Sequence, residues 1–381
     1  MIDQNEIYGN IPGAGYVCLR VEGGSIVAID SQDEERPEAS ILSPGWTDLQ
    51  VNGLGGIDFS DPGLEPEQVL RVLPLFWKTG VTSFCPTLIT HSQETLVRNF
   101  RVLETARKTD ARFAAAVPCY HLEGPYISPL GSRGAHNQDY LRLPNWTEFS
   151  ELQEAAGGNI GVITLAPELL GAIELIERAA ASGVIVAIGH TDGGREHIHA
   201  AVKAGARLST HLGNGCPPLI DRHHNPIWPQ LALDELSATI ICDTFHLPSD
   251  LVRIILRIKG IERLILVTDA VHVTLLPPGE YKLSGIPIEL QPDGKVVRIG
   301  DSCFAGSSLT MDRAIPLFMR LSGATLEDGL RAAGRNPVEL LGRAGLCAAL
   351  APGQPANVVS FGFHPDALSV DGVWLMGERV Y

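Results

Sequence analysis

Short apolar runs of β type alternate along most of the chain with segments whose apolar residues recur at helical spacing. Helical spacing is clearest in residues 65–80, 167–183, 194–206 and 248–260, each of which reaches a glycine. The β-type runs end near Gln50, Pro86, Glu123, Ala166, His190, His211, His246 and Asp269. Strands that alternate with helices favour a parallel sheet, and eight such runs predict a (β/α)₈ TIM-like barrel.

The two ends of the chain carry a different pattern. Short apolar runs separated by glycine turns occur at both ends, and this pattern is typical of β-hairpins. Neither end is long enough to be stable alone, so we predict that residues 1–43 and 351–381 pair into one small β-sandwich domain. The barrel is then expected to span residues 44–350, with a β insertion near 271–300.

Composition restricts the partner and the compartment. The 381 residues include 44 acidic and 29 basic side chains, and the formal net charge of −15 argues against nucleic acid or an anionic membrane as a partner. The seven cysteines are scattered without a C-x-x-C pair, as expected for reduced thiols in the cytoplasm. No early apolar run is long enough for a signal peptide or a membrane span. We expect a cytoplasmic protein that acts on a small molecule.

Polar side chains stand at or just past the ends of several predicted strands. In a barrel these ends meet at the C-terminal face, where active sites are built. His190 in GHTDGG and His211 in THLGNG follow two consecutive strands, and Glu123 in HLEGP ends an earlier one. Two imidazoles, one carboxylate and an open position suit catalytic zinc or a similar divalent ion. The alternative for either histidine is a structural role, hydrogen-bonded under a loop.

Two more residues follow the last strands. Asp269 in LVTDAV ends the eighth predicted strand, where a carboxylate can accept a proton from water and later return it to a leaving group. The alternative is an aspartate that caps a helix or a turn. His246 in CDTFHL is ambiguous, because Asp243 just before it can be its structural partner.

Taken in order, the motifs resemble one known family. PGWTDLQVNGLGG, HLEGPYISP, GAHN, GHTDGG, THLGNG, CDTFHL, LVTDAV, AGSSLTM and NPVELLG are similar to those of the N-acetylglucosamine-6-phosphate deacetylase family in the amidohydrolase superfamily. The resemblance covers nearly the whole chain. It implies hydrolysis of the acetamide of N-acetylglucosamine 6-phosphate to glucosamine 6-phosphate and acetate. Three alternatives stay open: deacetylation of another N-acetylated sugar, hydrolysis of a cyclic amide, and an inactive sugar-phosphate-binding protein.

The resemblance also implies roles for individual positions. Glu123, His190 and His211 match metal ligands, and Asp269 matches the catalytic base and acid. His136, in GAHN, matches a residue that polarises the acetyl carbonyl. The residues that match sugar-binding positions are Ala135, His136, Asn214, Gly215, His246, Phe304, Ala305 and Gly306.

Gln50 and Asn52 alternate on the first predicted strand, so both side chains point to one face. They occupy the position where the superfamily carries two histidines, and the resembling family includes members with this pair of amides. Amides are poor zinc ligands beside imidazole, so we expect the first of two metal positions to be lost. The prediction is one divalent metal per chain, Zn²⁺ by preference, with Fe²⁺ or another divalent ion as the alternative.

Arg222 falls where the family keeps an arginine for the sugar phosphate, and guanidinium suits phosphate geometry. A solvated surface arginine is the alternative. Dimers are usual in the family, so the resemblance implies a homodimer in which Arg222 reaches its own or a neighbouring subunit's site. Asn214-Gly215-Cys216 departs from the family's Asn-Ala-Met, and His223 and His224 stand beside Arg222. Both departures touch the expected sugar-phosphate pocket, so the exact sugar stays open.

Overall fold

The computed structural model describes residues 5–33, 36–301 and 303–381. The first four residues of the predicted segment 1–43, and its positions 34–35, lie outside the described residues. Within the described ranges, we find no helix with both the length and the apolar character needed to cross a membrane.

The strands in chain order are β1 (Glu6–Ile11), β2 (Gly15–Glu22), β3 (Ser25–Ser31), β4 (Ile41–Pro44), β5 (Trp46–Val51), β6 (Gly53–Leu54), β7 (Ile57–Asp58), β8 (Val81–Ile89), β9 (Tyr120–Glu123), β10 (Ile160–Leu165), β11 (Ile185–Ile188), β12 (Leu208–Ser209), β13 (Ser237–Ile240), β14 (Leu264–Leu266), β15 (Gly279–Leu283), β16 (Ile286–Leu290), β17 (Val296–Arg298), β18 (Val358–Gly362), β19 (Ser369–Leu375) and β20 (Glu378–Arg379).

The α-helices in chain order are α1 (Pro66–Leu70), α2 (Leu73–Lys78), α3 (Gln93–Thr109), α4 (Ala111–Ala116), α5 (Trp146–Ala155), α6 (Ala172–Ala181), α7 (Arg195–Ala204), α8 (Ile227–Ala232), α9 (Ser249–Lys259), α10 (Met311–Ser322), α11 (Leu326–Leu330) and α12 (Asn336–Leu341). Short 3₁₀ turns cover Gln138–Tyr140 and Ile261–Arg263, and a π-helical turn covers Arg331–Arg335.

The central sheet is a barrel. Among the described strands, eight lie side by side in the order β5-β8-β9-β10-β11-β12-β13-β14, and every neighbouring pair is parallel. Two backbone hydrogen bonds join the last strand's end to the first strand: Asp269 N donates to Gln50 O at 3.0 Å and Asn52 N donates to Ala270 O at 2.7 Å. These bonds close the sheet, and the predicted (β/α)₈ TIM-like barrel is confirmed.

The barrel strands end close to the predicted positions, with one clear difference. β9 ends at Glu123, as predicted, whereas β13 ends at Ile240, well before His246. The Asp243 carboxylate accepts hydrogen bonds from the backbone N–H groups of Phe245 and His246, both at 2.9 Å. This turn takes the chain out of the sheet, although the sequence IICDTFHL continues the β-type pattern.

The predicted helical segments are present, and one of them is divided. Residues 65–80 form α1 and α2 instead of one helix. Pro74 lies in the first turn of α2, where its missing N–H is tolerated, but it cannot continue the hydrogen-bond ladder of α1. The other three predicted segments contain α6, α7 and α9 as single helices.

The two ends of the chain pair with each other, as predicted. Seven described strands form one sheet in the order β3-β2-β1-β4-β18-β19-β20, and β18 joins the ends by pairing antiparallel with β4. This sheet has its own hydrophobic cluster, which includes Ile7, Leu19 and Val358. The small β domain predicted from the two ends is therefore present as one hydrogen-bonded sheet with its own small hydrophobic core.

A third sheet lies beside the barrel's C-terminal face. β15, β16 and β17 form antiparallel pairs within the range predicted for an insertion. Their buried residues share a cluster with Ile89 at the end of β8 and with Val271 just past β14. The backbone of Ala305 donates to Val296 O at 3.1 Å, which fixes the 304–306 stretch over the barrel mouth. The division of the chain into segments 1–43 plus 351–381 and 44–350 stays a prediction.

Candidate metal centre and active site

Three of the predicted chemical groups meet at the C-terminal face of the barrel. Glu123 is the last residue of β9, and His190 and His211 stand just past β11 and β12. Glu123 Oε1 lies 3.2 Å from His190 Nε2 and 3.0 Å from His211 Nε2, and the two Nε2 atoms are 3.1 Å apart. All three side chains are buried. The parallel strands therefore place three donor atoms around one point.

The chemistry of these atoms fits a divalent metal. His190 Nδ1 lies 3.0 Å from the carbonyl oxygen of Ser132, and a carbonyl only accepts, so the proton of the neutral ring is on Nδ1. His190 Nε2 then presents a lone pair toward Glu123 Oε1, which is also an acceptor. Neighbouring ligands of a tetrahedral zinc at about 2.0–2.2 Å lie about 3.3–3.6 Å apart, close to the distances between these atoms. A cation at their centre would satisfy all three lone pairs.

His136 stands beside this group. Its Nε2 is 3.3 Å from His190 Nε2, and its Nδ1 is 2.8 Å from the hydroxyl oxygen of Thr90. Glu123, His136 and His190 also form a cluster whose ligating atoms all lie within 4.8 Å of one another. Burial, reinforced by the nearby His190, lowers the pKa of His136 to about 3. The ring is therefore neutral, with one nitrogen available as a donor or a ligand.

Backbone strain marks the same positions. His190, His211 and Asp269 have φ values of 49°, 32° and 50°, in the left-handed region that non-glycine residues rarely adopt. Each lies just past a barrel strand, where the chain must turn sharply out of the sheet. Left-handed residues of this kind cost about 1–3 kcal/mol and cluster at active sites. In this left-handed conformation the three side chains point into the cavity.

Gln50 and Asn52 connect the carboxylates of the site. Gln50 Nε2 donates to Glu123 Oε1 at 2.9 Å and to Asp269 Oδ1 at 3.2 Å. Asn52 Nδ2 donates to the same Asp269 oxygen at 2.7 Å. Both amides therefore present N–H groups toward carboxylates, and at these positions they act as hydrogen-bond donors.

The two carboxylates differ in acidity. Burial acts to raise the pKa of Glu123, but its contacts with the His190 and His211 imidazoles outweigh burial and hold that pKa well below its usual range, as a cation among the three groups also would. Burial, with the nearby negative charge of Glu123, raises the pKa of Asp269 to about 7, against the opposing effects of His211 and the Asn52 hydrogen bond. Glu123 is thus a permanent anion, whereas Asp269 can exchange a proton near neutrality.

These groups face a cavity of about 850 Å³, large enough for a phosphorylated sugar. His246 lies in its wall, with its Nδ1 held 2.6 Å from Asp243 Oδ2 and its ring centroid 4.6 Å from that of Phe304. The predicted sugar-binding residues that line the cavity are Ala135, His136, Asn214, Gly215, His246, Phe304, Ala305 and Gly306. The structure brings this whole set to one surface, and their individual roles stay predictions.

Gly215 explains one of the sequence's departures. It has φ of 55°, and a Cβ atom at this position would lie 2.9 Å from His211 Cε1 and 3.1 Å from His190 Nδ1. The backbone therefore packs against both imidazoles more closely than a side chain would allow.

Arg222, the predicted phosphate ligand, is not brought to this cavity within one chain. Its side chain is exposed, and its carbonyl accepts a 2.9 Å hydrogen bond from the indole of Trp228. The arginines that do line the cavity are Arg133 and Arg298, and no motif in the sequence singles out either of them.

Two further partners of the site were also missed by sequence reasoning. Thr90 contacts His136 across 46 positions of sequence, and the Ser132 carbonyl orients His190. Thr90 follows the β8 strand, so a polar residue just past a predicted strand was the available signal. The Ser132 contact is made by its backbone carbonyl, a group that every residue carries, so the sequence does not mark it.

The chain is similar to known proteins over most of its length. No protein-family model matches it. N-acetylglucosamine-6-phosphate deacetylase of Rattus norvegicus is 35% identical over 364 residues, covering 92% of this chain and 86% of that protein. N-acetylgalactosamine-6-phosphate deacetylase of Escherichia coli O157:H7 is 30% identical over 363 residues, covering 94% of this chain and 93% of that protein.

The solved structures agree with these relatives. A mutant N-acetyl-D-glucosamine-6-phosphate deacetylase from Mycobacterium smegmatis, in complex with N-acetyl-D-glucosamine-6-phosphate, matches with a TM-score of 0.87 at 28% identity. The match covers 99% of this chain and 97% of that one. The family assignment rests on sequence identity above 30% over most of both chains, on the shared barrel and on the grouped site residues. The chain belongs to the N-acetylglucosamine-6-phosphate deacetylase family of amidohydrolases.

Proposed function

We propose that this protein hydrolyses the acetamide of N-acetylglucosamine 6-phosphate, releasing glucosamine 6-phosphate and acetate. The observation that carries the proposal is the meeting of Glu123, His190 and His211 beside Asp269 in one cavity, in a chain of this family. A second candidate substrate is N-acetylgalactosamine 6-phosphate, because a relative named for that sugar is 30% identical over nearly the full length of both chains.

Glu123, His190 and His211 would hold one divalent metal, for which we propose zinc, with Fe²⁺ as the alternative. When bound, such an ion lowers the pKa of a water molecule and polarises the acetamide carbonyl. Gln50 and Asn52 stand where a second metal would need ligands, and both donate hydrogen bonds to carboxylates instead. This arrangement supports our proposal of one metal per chain.

Asp269 moves the proton in the proposed reaction. Its Oδ1 is fixed by donors from Gln50 and Asn52, so the carboxylate is oriented before substrate binds. A pKa near neutrality lets it accept a proton from the attacking water and then give that proton to the departing amine. The two products are the free amino sugar and acetate.

His136 stabilises negative charge on the carbonyl oxygen. If the Thr90 hydroxyl donates to Nδ1, the neutral imidazole carries its proton on Nε2, which faces the same region as His190 Nε2. A neutral donor is suited to an oxygen that gains charge only in the transition state. We therefore assign Thr90 to positioning and His136 to catalysis.

We also propose that the protein is a cytoplasmic homodimer. The loop around Arg222 exposes apolar residues: Leu219 is 91% exposed and Trp228 is 47% exposed. A second copy of the chain seated on this patch would cover it and could carry Arg222 toward the neighbouring cavity. Light scattering at micromolar concentration tests this state, and a monomer would contradict it.

The direct test of function is acetate release from a panel of N-acetylated sugars. Metal-loaded protein is expected to deacetylate the 6-phosphates of N-acetylglucosamine and N-acetylgalactosamine with different kcat/KM values, and to act poorly on the unphosphorylated sugars. Asp269→Asn serves as the matched control, with kcat lower by about 10²–10⁴-fold because the proton acceptor is lost. Undiminished activity of that variant would contradict the mechanism, and no acetate from any sugar would favour an inactive binding protein.

A further inference from the structure

One arginine in the wall of the cavity, Arg133, forms no ion pair with any described residue. The guanidinium of Arg133 donates from Nη1 to the carbonyl oxygen of His136 at 2.6 Å. The described carboxylates leave it without an ion pair, whereas the other arginine of the cavity, Arg298, is paired with Asp301. Its remaining N–H groups are therefore available to a ligand in the cavity.

The second arginine of the cavity differs in this respect. Arg298 forms an ion pair with Asp301, with Nε 2.8 Å from the Asp301 carboxylate. The hydrogen bond from Arg298 is the main cause that lowers the pKa of Asp301, and the charge of Arg133 adds a smaller effect in the same direction, so both arginines lie along one rim of the cavity. Two guanidinium groups and one carboxylate leave a net positive charge at that rim. In a chain with net charge −15, such a local excess is selective for an anion.

We propose that Arg133 is this chain's own contact for the phosphate of the sugar 6-phosphate. The inference rests on the proposed function and names the residue by which the same site selects phosphorylated substrates. Arg133 lies three residues before His136 on one loop, and its hydrogen bond to the His136 carbonyl ties the two together. The loop thus carries a phosphate contact and an acetamide contact at once. Arg222 is exposed and lies outside the cavity of its own chain.

The test compares each substrate with its unphosphorylated form. Arg133→Gln is expected to lower kcat/KM for N-acetylglucosamine 6-phosphate by about 10- to 100-fold, the usual effect of a charge-assisted hydrogen bond. For N-acetylglucosamine the expected change is less than about twofold. Arg133→Lys keeps the charge but not the forked geometry and should fall between Arg133→Gln and wild type. Arg257→Gln, an exposed arginine on α9, is the control for loss of one positive charge.

The ratio between the two substrates separates recognition from structure. If Arg133 only supports the His136 carbonyl, the variant will lose activity on both sugars equally, and this outcome overturns the proposal. An unchanged kcat/KM for the phosphorylated sugar also overturns it.

Failure of the proposed function is distinguishable. If the wild-type protein releases no acetate from either sugar, the proposed function fails, and calorimetric binding then decides the role of Arg133. Arg133→Gln should weaken the binding of glucosamine 6-phosphate by about tenfold or more and leave that of glucosamine unchanged. Equal affinity of wild type and variant for glucosamine 6-phosphate would overturn the proposal.

Discussion

Single side chains in the metal centre have separable roles, although their atoms are nearly equidistant. His211 Nε2 and His136 Nε2 lie 3.1 Å and 3.3 Å from His190 Nε2. We expect His211→Asn to lose most of the bound metal, because a ligand is removed. His136→Asn should keep about one metal per chain and lower kcat by about 10²–10³-fold, as expected for loss of one donor to the developing oxyanion.

Metal content and kcat must be measured on the same preparations of these two variants. Elemental analysis after dialysis gives the first quantity and acetate release gives the second. A His136→Asn protein without metal and a His211→Asn protein with it would reverse the assignment. The ligand set would then be the compact cluster of Glu123, His136 and His190.

The pKa of Asp269 predicts how the activity depends on pH. Burial and the charge of Glu123 raise its pKa to about 7, and the proposed mechanism uses the carboxylate form as proton acceptor. Activity is therefore present above the pKa and lost as pH falls through it. A bound dication favours the carboxylate, so kcat/KM should show an acid limb at or below about pH 7.

Asn52 supplies the matched variant for this profile. Its amide donates to Asp269 at 2.7 Å and acts to lower the pKa of that carboxyl. In Asn52→Ala, the acid limb should move upward by about 0.4–1 pH unit, the equivalent of one neutral hydrogen bond. The phosphate of the substrate titrates identically in both measurements. A limb that moves downward, or does not move, would argue against Asp269 as the titrating base.

The sequence predicts these residues unevenly. Glu123, His190, His211 and Asp269 stand at strand ends, and residue type together with local position was enough to select them. Arg133 and Thr90 matter through contacts made only in the folded chain, such as the 2.8 Å contact between Thr90 and His136. The place of Thr90 just past β8 was a local signal for that residue. Nothing in the local sequence marked Arg133.

At the scale of secondary-structure elements, a buried aspartate joins the first and last strands of the barrel. Asp48 lies on β5 and accepts hydrogen bonds from the Thr268 backbone N–H at 3.2 Å, the Gln50 backbone N–H at 3.3 Å and the Thr268 hydroxyl. Asp48→Ala leaves these donors unpaired in the interior. We expect a loss of about 2–4 kcal/mol in the free energy of unfolding.

Urea unfolding followed by circular dichroism measures this effect. Asp48→Asn retains one acceptor and most of the volume, so it should cost clearly less than the alanine variant. An alanine variant within about 0.5 kcal/mol of wild type, the range of ordinary surface substitutions, would show that Asp48 does not hold the barrel closure.

The elements themselves were predicted well because their patterns are local. Alternating β and helical runs indicated the barrel strands, and glycine turns indicated the terminal sheet. Boundaries were less certain where a side chain overrides the pattern: Asp243 turns the chain after β13, and Pro74 begins a new helix. Barrel closure depends on hydrogen bonds between residues more than 200 positions apart, such as Asp269 N to Gln50 O. No local pattern indicates these bonds, so closure was predicted only through the fold class.

At the scale of the whole molecule, the family relationship and the metal centre together predict a deacetylase that works with one metal ion per chain. We propose that a single divalent ion on Glu123, His190 and His211 is sufficient for deacetylation, because Gln50 and Asn52 offer amides where a second ion would need ligands. The claim joins the metal count to the reaction, so one titration can test both.

That measurement is acetate release from N-acetylglucosamine 6-phosphate as metal is added back to chelator-treated protein. We predict that kcat rises in proportion to added Zn²⁺ or Fe²⁺ and reaches its plateau at about one equivalent per chain. A plateau reached only at two equivalents would contradict the single site. No acetate release at any metal loading would contradict the account as a whole.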